Sequence, residues 1–366
     1  MIIYYSMILV AAIAAFMNMQ TNELQQDGTF ARKPVTFIPA SLVWVYIIFW
    51  VAMRSRFADT PAYIRGFQMT DASWTGLINA FQQGGKCLGW DVFQVLFKVL
   101  ISSDYHVFFL GIAFIQAIPI MNTLRKYSES YFWAVLLFIL SVNFTWMMNG
   151  IRQFAAVSVL FGCTPLILER KWIKYTLMVL LMSTVHFTAI IMIPIYWCVT
   201  GKPWHRNILL AIAGVILAAV FTARFTASLE EVLSHTAYAN ATTQFAEDDG
   251  VHPLRVLLYF IPVLLSYIFR KKLEEANDPV TNLSINMSVI TCGLYIVGMF
   301  TSGILIGRLP IYCSMYNYIL YPYIFNHCFA RQKGLMYACC TLGYLIFFLI
   351  MSRDFYYYSN LIGFFG

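Results

Sequence analysis

Residues 172–199 read WIKYTLMVLLMSTVHFTAIIMIPIYWCV, and the way this run meets a membrane decides the topology of the whole chain. As one helix it is roughly 42 Å long, more than the ~30 Å hydrocarbon core of a bilayer. The polar stretch Ser183–His186 interrupts it near its middle. A single crossing also puts the acidic stretch 224–253 inside and the basic turn Phe269–Lys272 outside, against the positive-inside rule. Two short helices broken near Ser183–His186 repair both problems. Lys202 and Arg206 then fall inside, and Glu230, Glu231, Glu247, Asp248 and Asp249 fall outside.

The rest of the chain supports a membrane reading. It has 366 residues, of which 60% are hydrophobic and only 11% charged, whereas a soluble domain carries about 25% charged residues. Its mean hydropathy is +0.69. Apolar runs suited to spans cover 1–18, 36–53, 105–122, 131–148, 151–168, 172–199, 207–223, 254–269, 284–304, 309–326 and 335–351. Basic connections at Glu169–Lys174, Phe269–Lys272 and Ala330–Lys333, with Arg125–Lys126 and Arg32–Lys33, mark the cytoplasmic side. The sequence thus predicts an all-α polytopic membrane protein of about 12 transmembrane helices. Both termini lie outside, and one transmembrane domain covers 1–366 with external loops at 54–104 and 224–253. The first run lacks a basic leader and a small-residue cleavage signal, so it reads as an uncleaved span. Trp90–Ile101 (WDVFQVLFKVLI) has helical apolar spacing and predicts an amphipathic helix lying at the interface.

Composition excludes some functions. The net charge of +7 is mostly loop charge, and no basic patch is large enough for nucleic acid. The eight cysteines form no C-x-x-C pair and read as small membrane-buried hydrophobes. No second His or Cys stands at ligand spacing from His186, so no metal is expected, and no cofactor is implied.

What remains is a set of ionisable residues at the ends or breaks of apolar runs: Arg54, Asp59, Arg152, His186 and Arg308. Such groups cost roughly 2.5–3.5 kcal/mol each at a helix centre on insertion scales, which makes them functional candidates. The derived topology puts all five on the external face. Arginines held outside, Arg56 and Arg65 among them, ask for an anionic partner, and guanidinium forks suit phosphate oxygens. Asp59 is open to two readings, a general base or an ion-pair partner of Arg54 or Arg56. In Asn149-Gly150-Ile151-Arg152-Gln153, Gly150 permits a turn and Arg152 opens the next helix. A cation there opposes the helix dipole, while the same end favours an anion. His186 suits base work or a hydrogen bond to a leaving phosphate. Arg308 sits just before Pro310, and Tyr312, Tyr316, Tyr318, Tyr321 and Tyr323 beyond it read either as bundle packing or as a sugar path.

Together these elements resemble the EpsG-like family of bacterial polysaccharide polymerases, relatives of the Wzy-type O-antigen and capsule polymerases. The matching pattern is R-x-R-F-x-D-x-x-x-Y at 54–63 and N-x-I-R-Q at 149–153. It continues with V-H-F-T-A-I-I-M-I-P at 185–194 and R-x-x-x-Y from Arg308 to Tyr312. Phe187-Thr188 departs from the basic residue and Ser found in many relatives. The resemblance implies a GT-C-like glycosyltransferase of the bacterial cytoplasmic membrane, acting on its periplasmic or outer side. Its substrates would be undecaprenyl-diphosphate-linked oligosaccharides, its product an exopolysaccharide, capsule or O-antigen chain, and a chain-length regulator protein would be a partner. Arg152 and Arg308 would stabilise the leaving diphosphate, with Asp59 or His186 as base. Arg54, Arg56, Tyr63, Asn149, Gln153 and Tyr312 would contact substrate. A flippase of lipid-linked oligosaccharide would favour charges near the midplane and paired repeats, which this chain lacks. A glycan ligase shares donor and fold. A membrane acyltransferase would not need the arginines.

Overall fold

A computed structural model describes residues 2–23, 35–83, 87–206, 208–214, 217, 250–300 and 306–365. The expected basic pair Arg32–Lys33, the acidic stretch 224–249 and most of the run 207–223 lie outside these residues. The described chain is nearly all helical. Its first helices are α1 (Ile2–Glu23), α2 (Phe37–Ala52), α3 (Thr60–Met69), α4 (Trp74–Gln83), α5 (Leu88–Leu100), α6 (Tyr105–Tyr127) and α7 (Tyr131–Leu140). There follow α8 (Ile151–Gly162), α9 (Thr164–Leu168), α10 (Trp172–Val185), α11 (Met192–Val199), α12 (Pro253–Ile268) and α13 (Arg270–Ala276). The last are α14 (Pro279–Met299), α15 (Ile311–Ser314), α16 (Asn317–Cys328) and α17 (Lys333–Met351). A two-residue hairpin, β1 (Tyr358–Ser359) with β2 (Phe364–Phe365), ends the chain. Residues Met1–Ile193 with Gln332–Gly366 form one compact unit, and Pro194–Arg331 form another.

Among the described residues, α6, α14 and α17 are long and apolar enough to cross a membrane. α12 and α13, bent by 72° between them, make a fourth if counted as one span. α2, α7, α8 and α10 are apolar but shorter, as are the stretches Ile2–Met17 and Phe187–Val199. The chain is a multi-pass membrane protein. Its helices divide by burial: among the described residues 78% of the apolar window of α14 is buried but only 22% of that of α17.

Helix ends follow local chemistry. Asp104 opens α6 by accepting from the amides of His106 and Val107 at 2.7 and 3.2 Å, and Arg125 and Lys126 sit in its last turn, where cations suit the dipole. Asp278 opens α14, its carboxylate receiving the Thr281 amide at 2.8 Å, with Pro279 in the first turn. This cap starts the helix five residues before the expected 284. The run 131–148 differs more. Its helix stops after ten residues, Val142 turns left-handed at φ 59°, and Asn143–Met147 winds as a 3-10 turn. A β-branched residue at positive φ cannot continue an α-helix. All ten residues of α7 are buried, as befits a helix that is apolar all round. The run 151–168 is likewise divided at Cys163, with Pro165 in the first turn of α9.

A buried hydrogen-bond chain fixes α7 to α2. The Trp44 indole N–H donates to the Tyr131 hydroxyl at 2.9 Å, which donates to the Ala40 carbonyl at 2.9 Å. Tyr131→Phe strands the indole donor, so it is expected to destabilise by about 1–3 kcal/mol. Thermal unfolding in detergent checks this.

The run 172–199 breaks where the sequence predicts. α10 ends at Val185, His186 is extended (φ −148°, ψ 112°), and Phe187–Ile191 forms a 3-10 turn that packs against α10. The stretch 54–104 is three helices rather than an irregular loop, and α5 occupies the expected amphipathic segment.

Candidate functional site

An aromatic cluster supports the candidate residues of the first unit. Phe67 of α3, Trp90 and Phe97 of α5, and Phe108, Phe109 and Ile112 of α6 pack together with Ile151 of α8. Tyr63 and Val185 pack against its margin. The Phe67 and Phe108 rings stack at 4.1 Å between centroids. Three cluster members and one residue at its margin are chain neighbours of, or contacts of, polar groups: Ile151 precedes Arg152, Trp90 precedes Asp91, Phe109 lies under Arg54, and Val185 at the margin precedes His186.

At the start of α8, Gly150 takes φ 68°, and a β-carbon there would lie 3.3 Å from the Trp146 ring. The position demands glycine. Beside this turn, Asn149 and Arg152 are half-buried. The Asn149 Oδ1 and the Arg152 Nε are themselves buried and find no hydrogen-bond partner among the described residues. Orphaned buried polar atoms are costly and rare, and an anion at a helix start would receive such a donor. One residue on, the Gln153 amide donates to the Thr188 hydroxyl at 3.3 Å, and that hydroxyl lies 2.7 Å from Nδ1 of His186. The structure thus brings Arg152, Gln153 and His186 into one neighbourhood, with Thr188 as the link.

Arg54 sits deeper than its position at a helix end suggests. It is only 1% exposed. Its Nε donates to the Thr60 hydroxyl at 3.1 Å, its Nη1 donates to the Val51 carbonyl, and its guanidinium lies 4.0 Å from the Phe109 ring centroid. Its Nη2 is unpartnered. Burial lowers its pKa to about 9, against opposing contributions from Tyr357 and Tyr63, so it is cationic at neutral pH. Asp59 is exposed and precedes α3 without capping it through its side chain. Arg56 is exposed, and its backbone pairs with Tyr358. Tyr63 is half-buried, its ring 6.4 Å from that of Trp90. In the second unit, Arg308 is half-buried in the turn before α15, and Tyr312 is 2% exposed.

Two features escaped the sequence reading. The C-terminal segment clamps the Ser55-Arg56 backbone: both amides donate to the Tyr358 carbonyl, at 2.8 and 3.1 Å, and the Asn360 amide donates to the Ser55 hydroxyl at 3.0 Å. The second is Asp91, half-buried on α5. Burial pushes its carboxyl above the ordinary carboxylate range, while the Arg152 guanidinium pulls it back down. The signal for it lay in WDVFQVLFKVLI, where Asp91 and Lys98 are the ionisable groups and stand seven residues apart on one helical face.

Other features lie elsewhere. An apolar groove of about 340 Å³ is lined by Ile118, Pro119, Val159, Gly162 and Pro165, among others, and none of the candidate residues lines it. Among the described residues no group of three His, Cys, Asp or Glu is placed to hold a metal.

The EpsG family model matches residues 38–362. The chain belongs to the EpsG family, the family of Wzy-type polysaccharide polymerases. No curated protein and no solved structure matches it.

Proposed function

We propose that this chain polymerises undecaprenyl-diphosphate-linked oligosaccharide repeat units on the outer face of the bacterial cytoplasmic membrane. It would do so as a metal-independent glycosyltransferase with a GT-C-like bundle of about 12 spans. Family membership supports the polymerase reading. The observation that carries the site assignment is the pair of buried, unpartnered polar atoms at the start of α8, Arg152 Nε and Asn149 Oδ1.

In this reading Arg152 receives the diphosphate of the donor. An acceptor hydroxyl attacks C1 of the donor sugar, and the bond from C1 to the diphosphate oxygen breaks. The electron pair leaves with undecaprenyl diphosphate, whose growing charge the guanidinium stabilises. Arg308, in the second unit, is the further cation that the family pattern offers for a phosphate. His186, oriented by Thr188, donates to the leaving phosphate. Gln153, which shares Thr188, keeps the two elements in register. Arg54, Arg56, Tyr63 and Tyr312 contribute to substrate recognition, and the exposed carboxylate of Asp59 is available as a base. A bilayer slot holds the polyprenyl tail, and a chain-length regulator is the protein partner in the cell.

The test is the size of lipid-linked and free glycan in a strain lacking this gene. Collapse of a ladder to one repeat unit, restored by the gene, supports the polymerase. Substrate building up on the cytoplasmic side would instead identify a flippase, and full-length polymer not joined to its final acceptor would identify a ligase.

A further inference from the structure

We propose that Asp91 is the general base of the transfer, taking the proton of the acceptor hydroxyl beside the arginine that receives the diphosphate. The inference rests on the reading of Arg152 as the diphosphate contact. It assigns chemistry to a residue of α5 that neither the family motifs at 54–63 and 149–153 nor His186 supplies.

Three observations carry it. First, α5 is seated firmly. Its Gly89 meets α10 so closely that a β-carbon would overlap the Thr184 side chain and lie 3.1 Å from the Thr184 backbone carbonyl carbon. Trp90 and Phe97 are buried in the aromatic cluster that also contains Ile151. At the far end, the Lys98 ammonium donates to the carbonyls of Phe67, Gln68 and Thr70 at 3.1, 2.9 and 2.8 Å. The helix is thus held at both ends, and Asp91 stands between these anchors.

Second, Asp91 and Arg152 each follow a residue of the same aromatic cluster, Trp90 and Ile151, and neither side chain is spent on the other. Asp91 and Arg152 interact electrostatically, yet among the described residues no hydrogen bond or ion pair joins the Asp91 side chain to any group, and Arg152 Nε stays orphaned. A structural ion pair would close to contact, with the Nε satisfied. Both groups therefore remain free to engage a polar ligand.

Third, the surroundings suit proton transfer. Half-burial against Trp90 and the cluster favours the neutral carboxyl, which makes the anion a stronger base than one in water. Asp59, in contrast, is exposed at the start of α3. The charged group that acts on Asp91 is Arg152 from α8, while Lys98 of the same helix is engaged with the Phe67, Gln68 and Thr70 carbonyls.

The step balances without a further reactant. The hydroxyl proton moves to a carboxylate oxygen of Asp91, the hydroxyl oxygen bonds to C1, and the pair from the C1–O bond departs with the diphosphate.

The experiment uses the full chain in liposomes, supplied with undecaprenyl-diphosphate-linked repeat units isolated from cells lacking this gene. Asp91→Asn is expected to slow chain extension by about 10²–10⁴-fold, with binding of the lipid-linked unit retained. Asp91→Glu should recover part of the rate, which also shows that the position tolerates change without loss of the fold. The wild-type rate should fall as pH drops through the raised carboxyl pKa, and Asp91→Asn should lack that limb. If Asp91→Asn keeps the rate within a few-fold, or if Asp59→Asn rather than Asp91→Asn removes the acid limb, the inference is wrong. Arg152→Ala run in parallel separates the two levels. If Arg152→Ala is inactive and Asp91→Asn is active, only the base assignment fails. An active Arg152→Ala removes the reading beneath it, and the base assignment with it.

Discussion

Arg152→Ala is expected to abolish polymer while the protein still accumulates and inserts. The loss should be at least about 10²–10³-fold in chain extension, the usual consequence of removing a group that stabilises charge on a reacting oxygen. The fold should tolerate the change because its Nε is an orphaned donor, and deleting an unsatisfied donor removes a penalty rather than a bond. This separates Arg152 from Arg54, which is packed over Phe109 and bonded to Thr60 and Val51. Arg152→Lys should restore little, since an ammonium cannot present the planar fork that meets two phosphate oxygens at once. Glycan ladders from cells expressing each variant, beside immunoblots of the membrane fraction, check both halves of the expectation.

Gly89→Ala should be the second large effect, and it reaches activity through packing. The new methyl would sit 3.0 Å from the Thr184 β-carbon and 3.1 Å from its carbonyl carbon, where real β-carbons are crowded. Backbone must give way, at a cost of about 1–3 kcal/mol. The displaced element is α5, which carries Trp90 into the cluster and Asp91 beside it. A misplacement of about 1 Å at a reacting group can cost 10²-fold in rate, so polymer should fall steeply even where protein persists. Thr184→Ala removes the hydroxyl, which the new methyl would overlap and which, among the described residues, bonds only the Leu181 carbonyl at 2.7 Å. The double variant should therefore regain part of the activity. Equal activity of Gly89→Ala and wild type would mean that α5 need not be held against α10.

Much of this arrangement was legible in the sequence because it depends on local chemistry. The break at His186 follows from a run too long for one span with Ser183 and Thr184 at its middle. The helix over Trp90–Ile101 follows from apolar spacing alone. The turn at Gly150 follows from a residue free to take positive φ. What was not legible depends on partners distant in sequence. Lys98 looks like a solvated charge until the three carbonyls ending α3 are placed around it, some thirty residues upstream. Ser55 meets Asn360 across 305 residues, and no local pattern in 54–59 announces that clamp. The early end of α7 is hidden for another reason: Val142 is a β-branched residue held at φ 59°, a conformation its own preference opposes. Asp91 is not singled out by the sequence, because an acidic residue on an amphipathic interfacial helix normally faces water. Only the position of Arg152 gives it another meaning.

The most direct measurement is chain extension by the purified full chain in liposomes, with released undecaprenyl diphosphate counted against glycosidic bonds formed. The account predicts one undecaprenyl diphosphate freed for each repeat unit joined, and neither product from Arg152→Ala. Movement of lipid-linked units across the bilayer without bond formation, or full extension by Arg152→Ala, would contradict it.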